Sequence, residues 1–129
     1  MLSGARLVAN LKASDLERTI SFYEGKLGLP LAERREILPG HKEALFPAGG
    51  AVICVEESGN VPTSGHTPVV FEVDDIEPVV RGLRGRGVTF EDYDYPSLKT
   101  VDGVASVGSF RAAWFKDPDG NLLGILSRV

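Results

Sequence analysis

The chain states one pattern twice. Residues 8–17 read Val-Ala-Asn-Leu-Lys-Ala-Ser-Asp-Leu-Glu, and residues 68–77 read Pro-Val-Val-Phe-Glu-Val-Asp-Asp-Ile-Glu, sixty residues later. Each copy is an extended apolar run, then an acidic helix-start signal, then an amphipathic helix. A solenoid needs about three copies to bury a core, and 129 residues hold only two. The chain is therefore expected to be one domain of two fused modules, at about 1–60 and 61–129. Halves of this kind meet across a shared cleft, which is where a functional site is expected.

The rest of each module can be read in outline. Residues 4–12 alternate as a strand. Ser14 and Glu17 form a capping box, Ser with Glu three residues on. Leu16, Ile20, Tyr23 and Leu27 then share one helical face, Gly28 is the C-cap and Pro30 follows. Strands are expected at 31–37, 41–47 and 51–57, with turns at Pro39-Gly40 and Ala48-Gly49-Gly50. In the second copy the strand is 66–73, Asp74 replaces the capping serine, and Ile76, Val80 and Leu83 line the helix until Gly85 and Gly87. Pro78 sits in the first turn, where a missing N–H costs little. Strands at 88–93, 108–116 and 121–127 complete a plan of βαβββ twice. Residues 94–107 read as a loop, long for a compact domain and a candidate lid, and 58–65 as the linker.

Composition narrows the function classes. Hydrophobic content of 43% with 25% charged residues is that of a globular protein. No stretch approaches the length of a membrane span, and no signal peptide is read at the N-terminus. A net charge of −4 disfavours nucleic acid, which rewards clustered Lys and Arg. The single Cys54 forbids an intramolecular disulfide and suits a reducing cytoplasm.

The βαβββ order, together with the segments 14–29, 71–76 (Phe-Glu-Val-Asp-Asp-Ile) and 115–123 (Phe-Lys-Asp-Pro-Asp-Gly-Asn-Leu-Leu), resembles the vicinal oxygen chelate superfamily. That group includes glyoxalase I, extradiol dioxygenases, fosfomycin-resistance enzymes and the bleomycin- and mitomycin-binding resistance proteins. The resemblance covers essentially the whole chain. It implies an α+β fold in which two tandem βαβββ modules form a curved mixed sheet around a central cavity, the glyoxalase/bleomycin resistance/dihydroxybiphenyl dioxygenase-like fold. It also implies a divalent metal held by His or Glu from the first and last strands of each module. Those positions fall here at Val8, Pro68, Gly124 and Cys54. Val8, Pro68 and Gly124 offer no ligating side chain, and Cys54 alone is not a site. No family-type metal and no other cofactor are therefore expected.

The remaining candidates each admit a plain reading. His66 and Glu56 could form a relocated metal site, but His66 sits in a Gly-His-Thr-Pro turn and His41 follows Pro39-Gly40. Cys54 is either cavity-facing or a small buried hydrophobe, with no visible cation to activate it. Asn10 and its repeat counterpart Val70 are expected on the cavity wall. Trp114 either stacks on a ligand or fills the core. The stretch Tyr93, Asp94, Tyr95, Lys99, Asp102 supplies phenols, carboxylates and an ammonium at the expected cavity mouth, or is a solvated loop. Asp74, Asp75 and Asp117 are assigned to caps and turns, and Arg81, Arg84 and Arg86 to a solvated helix face.

Three functions follow. The first is a metal-free protein that binds a small organic molecule, in the manner of antibiotic-sequestering relatives, through Asn10, Cys54, Val70, Tyr93, Asp94, Tyr95, Lys99, Asp102 and Trp114; Asp94 and Asp102 would favour a basic ligand. The second is a lyase, isomerase or dioxygenase using a relocated metal or metal-free acid–base groups. The third is a regulatory module acting by self-association. A homodimer is expected in each case, with neither nucleic acid nor membrane as partner.

Overall fold

The structure, a computed structural model, describes residues 1–36, 38–61 and 67–128. His66 lies outside the described residues. The chain divides into two compact units, Met1–Thr63 and Ser64–Val129, the boundary falling in the expected linker. No helix among the described residues is long and apolar enough to cross a membrane.

The first unit has the expected plan. Its elements are β1 (Val8–Ala13), α1 (Leu16–Ile20), a π-helical segment (Ser21–Lys26), β2 (Glu33–Glu36), β3 (Lys42–Ala48) and β4 (Ala51–Glu57). The sheet order is β1-β4-β3-β2, with β1 parallel to β4 and the other pairs antiparallel. Strand alternation sends Leu11, Ala13, Ile53, Val55, Ala44 and Phe46 into a core with Leu16, Ile20 and Tyr23. Tyr23 stacks on Phe46 at 5.2 Å.

Two helix expectations are corrected. The N-cap is Asp15, not Ser14; the Asp15 side chain accepts from the Arg18 N–H, and the Leu16 N–H donates to Glu57 Oε2 at 2.9 Å. Glu17, the other half of the predicted box, is turned outward to Arg34. The helix also loosens to π geometry after Ile20, with the Leu27 N–H reaching Phe22 O five residues back. The wider turn brings Phe22 into the buried set and leaves Leu27 half-buried.

The second unit contains β5 (Val69–Glu72), α2 (Ile76–Gly85), β6 (Asp94–Tyr95), β7 (Leu98–Val101), β8 (Val104–Val107), β9 (Phe110–Lys116) and β10 (Leu122–Arg128). Its sheet order is β5-β10-β9-β8-β7-β6, with β5 parallel to β10. Asp75, one residue beyond the expected cap, accepts from the Glu77 N–H. Ile76 and Val80 of α2 are buried with Phe90, Phe115, Leu123 and Ile125.

The expected loop at 94–107 is instead a β-meander, and the expected strand at 88–93 shrinks to one bridge, Phe90 to Phe115. The reason is local. Leu98–Val101 and Val104–Val107 flank Asp102-Gly103, whose φ values of 52° and 79° are both positive, as a tight two-residue hairpin turn demands. Asp117 closes the next turn as expected. Its carboxylate accepts from the backbone N–H groups of Asp119 and Asn121 and from Asn121 Nδ2.

Candidate functional site

Strand register relates the two units. Asn10 is the lateral partner of Cys54 on β1 and β4, and Val70 is the lateral partner of Gly124 on β5 and β10. These are the pairs that the internal repeat equates, and each lies on the sheet face turned away from that unit's helix.

On the first unit this face carries Asn10 and Lys12, which are exposed, beside buried Val52, Cys54 and Leu45. Glu43, 6% exposed, sits near the edge of the same face and accepts from Arg35 Nε at 2.7 Å. Removal from water, and secondly hydrogen bonding to the Glu43 carboxylate, push the Cys54 thiol up to about 11. Cys54 is thus an uncharged thiol at neutral pH and a poor nucleophile. Sequence reading missed Arg35 and Glu43. Alternation along β3 does place Glu43 in step with Leu45, and this was the signal available.

On the second unit the equivalent face is aromatic. The Tyr93 and Tyr95 rings stack at 6.0 Å between centroids, and Tyr93 meets the half-buried Trp114 edge-on at 5.4 Å. Trp114 is the cross-strand partner of Gly124. A Cβ on Gly124 would stand 3.5 Å from both Trp114 Cδ1 and Val70 Cγ2, and 3.3 Å from Thr67 Cγ2. The absent side chain lets the indole and Val70 lie against the backbone. Val70, Trp114, Tyr93 and Tyr95, expected to act together, are brought together within this unit. Glu91 and Lys116, which sequence reading missed, pair at 3.3 Å beside them. Burial and the Glu91 charge raise the Tyr93 phenol above its ordinary value.

Other expected site residues are placed elsewhere. Asp94 and Lys99 face each other across β6 and β7 at 3.9 Å, both largely exposed. Asp102 is in the β7–β8 turn, and its carbonyl accepts from Arg84 on the helix side of the sheet. His41 is exposed in a turn, its N–H bonded to Leu38 O.

The residues do not fit the metal that the resemblance implies. Val8, Gly124 and Cys54 occupy the expected strand positions, and among the described residues no three His, Cys, Asp or Glu side chains cluster so as to hold a metal ion. Glu56, one half of the relocated pair, is half-buried on β4.

The sequence matches the family model for the Glyoxalase/Bleomycin resistance protein/Dioxygenase superfamily over residues 7–125. No curated protein matches it. Among solved structures, it is similar to a glyoxalase family protein from Bacillus anthracis (TM-score 0.77, 18% identity, 100% of this chain and 98% of that one). It is also similar to TnmS3, an antibiotic-binding protein from Streptomyces sp. CB03234 (TM-score 0.70, 18% identity, 100% and 99%). The fosfomycin resistance protein FosX from Listeria monocytogenes, solved with Mn(II) and sulfate, gives a TM-score of 0.69 at 18% identity, covering 100% of this chain and 95% of that one.

Proposed function

The chain belongs to the Glyoxalase/Bleomycin resistance protein/Dioxygenase superfamily, and from that premise we propose that it is a metal-independent binder of a small, planar organic molecule. The observation that carries this reading is the contiguous Tyr95–Tyr93–Trp114 cluster beside Gly124 and Val70. An aromatic edge or face meeting a planar ligand gains area burial and quadrupole attraction without titrating any group. The indole N–H of Trp114 and the phenols supply the few oriented polar contacts that such sites use. On the first unit's own sheet, exposed Asn10 is a proposed ligand contact, with buried Cys54 next to it in register. Asp94 and Lys99 pair with each other and alternate to the other face from Tyr93 and Tyr95, and Asp102 is on the helix side, so none of the three sets the charge of the aromatic wall. Sequestration of an antibiotic or metabolite, by a homodimer in a reducing cytoplasm with no nucleic-acid partner, completes the reading.

Trp114 is the only tryptophan, so ligand titration is followed directly by its emission. Saturable 1:1 quenching by planar aromatic compounds is expected, with calorimetric affinity about tenfold weaker in Trp114→Ala. A Trp114→Phe variant that binds as tightly as the parent, while Trp114→Ala also does, overturns the stacking role.

A further inference from the structure

The opposite face of the second unit's sheet carries a separate cavity. Arg111 pairs with Ser106 across β8 and β9, so both point away from the face that holds Ala112 and Trp114. On that side a groove of about 670 Å³ runs between α2 and the β7–β8 hairpin. This is the size of a small-molecule site. Val80, Val101 and Val104 supply apolar lining, and Arg81, Arg84, Lys99 and Arg111 supply charge.

The cations are partly held in place. Arg111 is paired with Glu77. Arg84 donates to Asp102 O and lies over the Phe90 ring, 5.5 Å from its centroid. A Cβ on Gly103 would come within 2.7 Å of Arg84 Nη2 and 2.9 Å of Phe90 Cβ, so the hairpin turn is shaped around this guanidinium. One carbonyl occupies one of five guanidinium donors. Arg81 lies one turn earlier on the same helix face and is exposed. Lys99 pairs with Asp94 at 3.9 Å, an exposed pair of little energetic weight. Four cationic side chains line the groove against two carboxylates, Glu77 and Asp102. With Asp94 set against Lys99 from outside the lining, one positive charge is left in surplus on a chain whose net charge is −4.

We propose that this groove is a second binding site, for a small organic phosphomonoester. Its dianionic phosphate would be taken by Arg81 and Arg84, with Lys99 at the rim, and its carbon portion would lie on Val80, Val101 and Val104. Guanidinium forks match phosphate oxygens in geometry and charge. Nothing in the aromatic wall is needed for this site.

The test is a ¹H–¹⁵N correlation titration of the full chain with phenyl phosphate, with benzoate and inorganic phosphate as comparison probes. Saturable shifts are expected in the amides of Val80 to Arg84 and Leu98 to Val104, while the Trp114 indole resonance stays in place. Phenyl phosphate should bind more tightly than either comparison probe, and added salt should weaken it. Arg81→Ala removes an exposed side chain from the helix surface, so its fold is preserved; it should weaken binding about tenfold. Arg84→Gln should do the same, its own spectrum reporting whether the hairpin holds. Absence of saturable shifts, shifts centred on Trp114, affinity unchanged in Arg81→Ala, or equal affinity for benzoate or inorganic phosphate each overturns the assignment.

Discussion

Cys54 shows how one residue's chemistry is set by its neighbours. Its thiol is 2% exposed, packed with Leu45 and Val52 and facing the Glu43 carboxylate. Burial and that negative charge both oppose the thiolate, so the folded protein holds the proton more tightly than the unfolded chain. The resulting stability is fully present below about pH 9 and is lost as pH rises towards about 11. Denaturant unfolding of the parent and of Cys54→Val across this range should differ in slope, the variant losing less stability with rising pH. Parallel curves would show that the thiol is not perturbed. Alkylation by iodoacetamide at pH 8 should likewise be far slower in the native protein than in denaturant.

At the scale of elements, the β7–β8 hairpin departs most from the sequence-based expectation. Its turn signal, Asp-Gly between two alternating runs, was present at residues 102–103. The polar, tyrosine-rich approach at 93–97 obscures that signal. Pairing decides otherwise, because β8 gains a full ladder against the edge of β9. The capping positions show the same limit on a finer scale. Ser14 and Asp15 are both competent caps, and Glu57 from a strand remote in sequence supplies the carboxylate that meets the Leu16 N–H. Gly103→Ala should test the hairpin. Its positive φ and the close approach of Arg84 and Phe90 predict a loss of about 1–3 kcal/mol in urea unfolding. A change within a few tenths of a kcal/mol would mean that the turn relaxes freely.

At the scale of the whole molecule, the internal repeat carries through to register. Each unit pairs its first strand with its last in parallel, and Asn10–Cys54 and Val70–Gly124 hold equivalent places. The metal question is concrete at the neighbouring places, since Val8, Pro68 and Gly124 offer no ligating side chain and Cys54 is a lone thiol. Tag-free protein incubated with Zn²⁺, Ni²⁺, Mn²⁺ or Fe²⁺ and freed of unbound ion should retain well under one ion per chain by mass spectrometry. One tightly held ion per chain would refute the metal-independent reading and direct attention to Glu56 and His66. The sequence by itself determined the two-module plan, the helix positions, the family and the absence of ligating side chains at Val8, Pro68 and Gly124. These depend on periodicity, caps and residue identity, which are local properties. Only the tertiary structure decided that Tyr93, Tyr95 and Trp114 meet, that Glu43 bears on Cys54, and that Asp102 serves the helix side with Arg84. Those outcomes depend on cross-strand register and on which sheet face each side chain takes, and a shift of one residue in pairing would reverse every one of them.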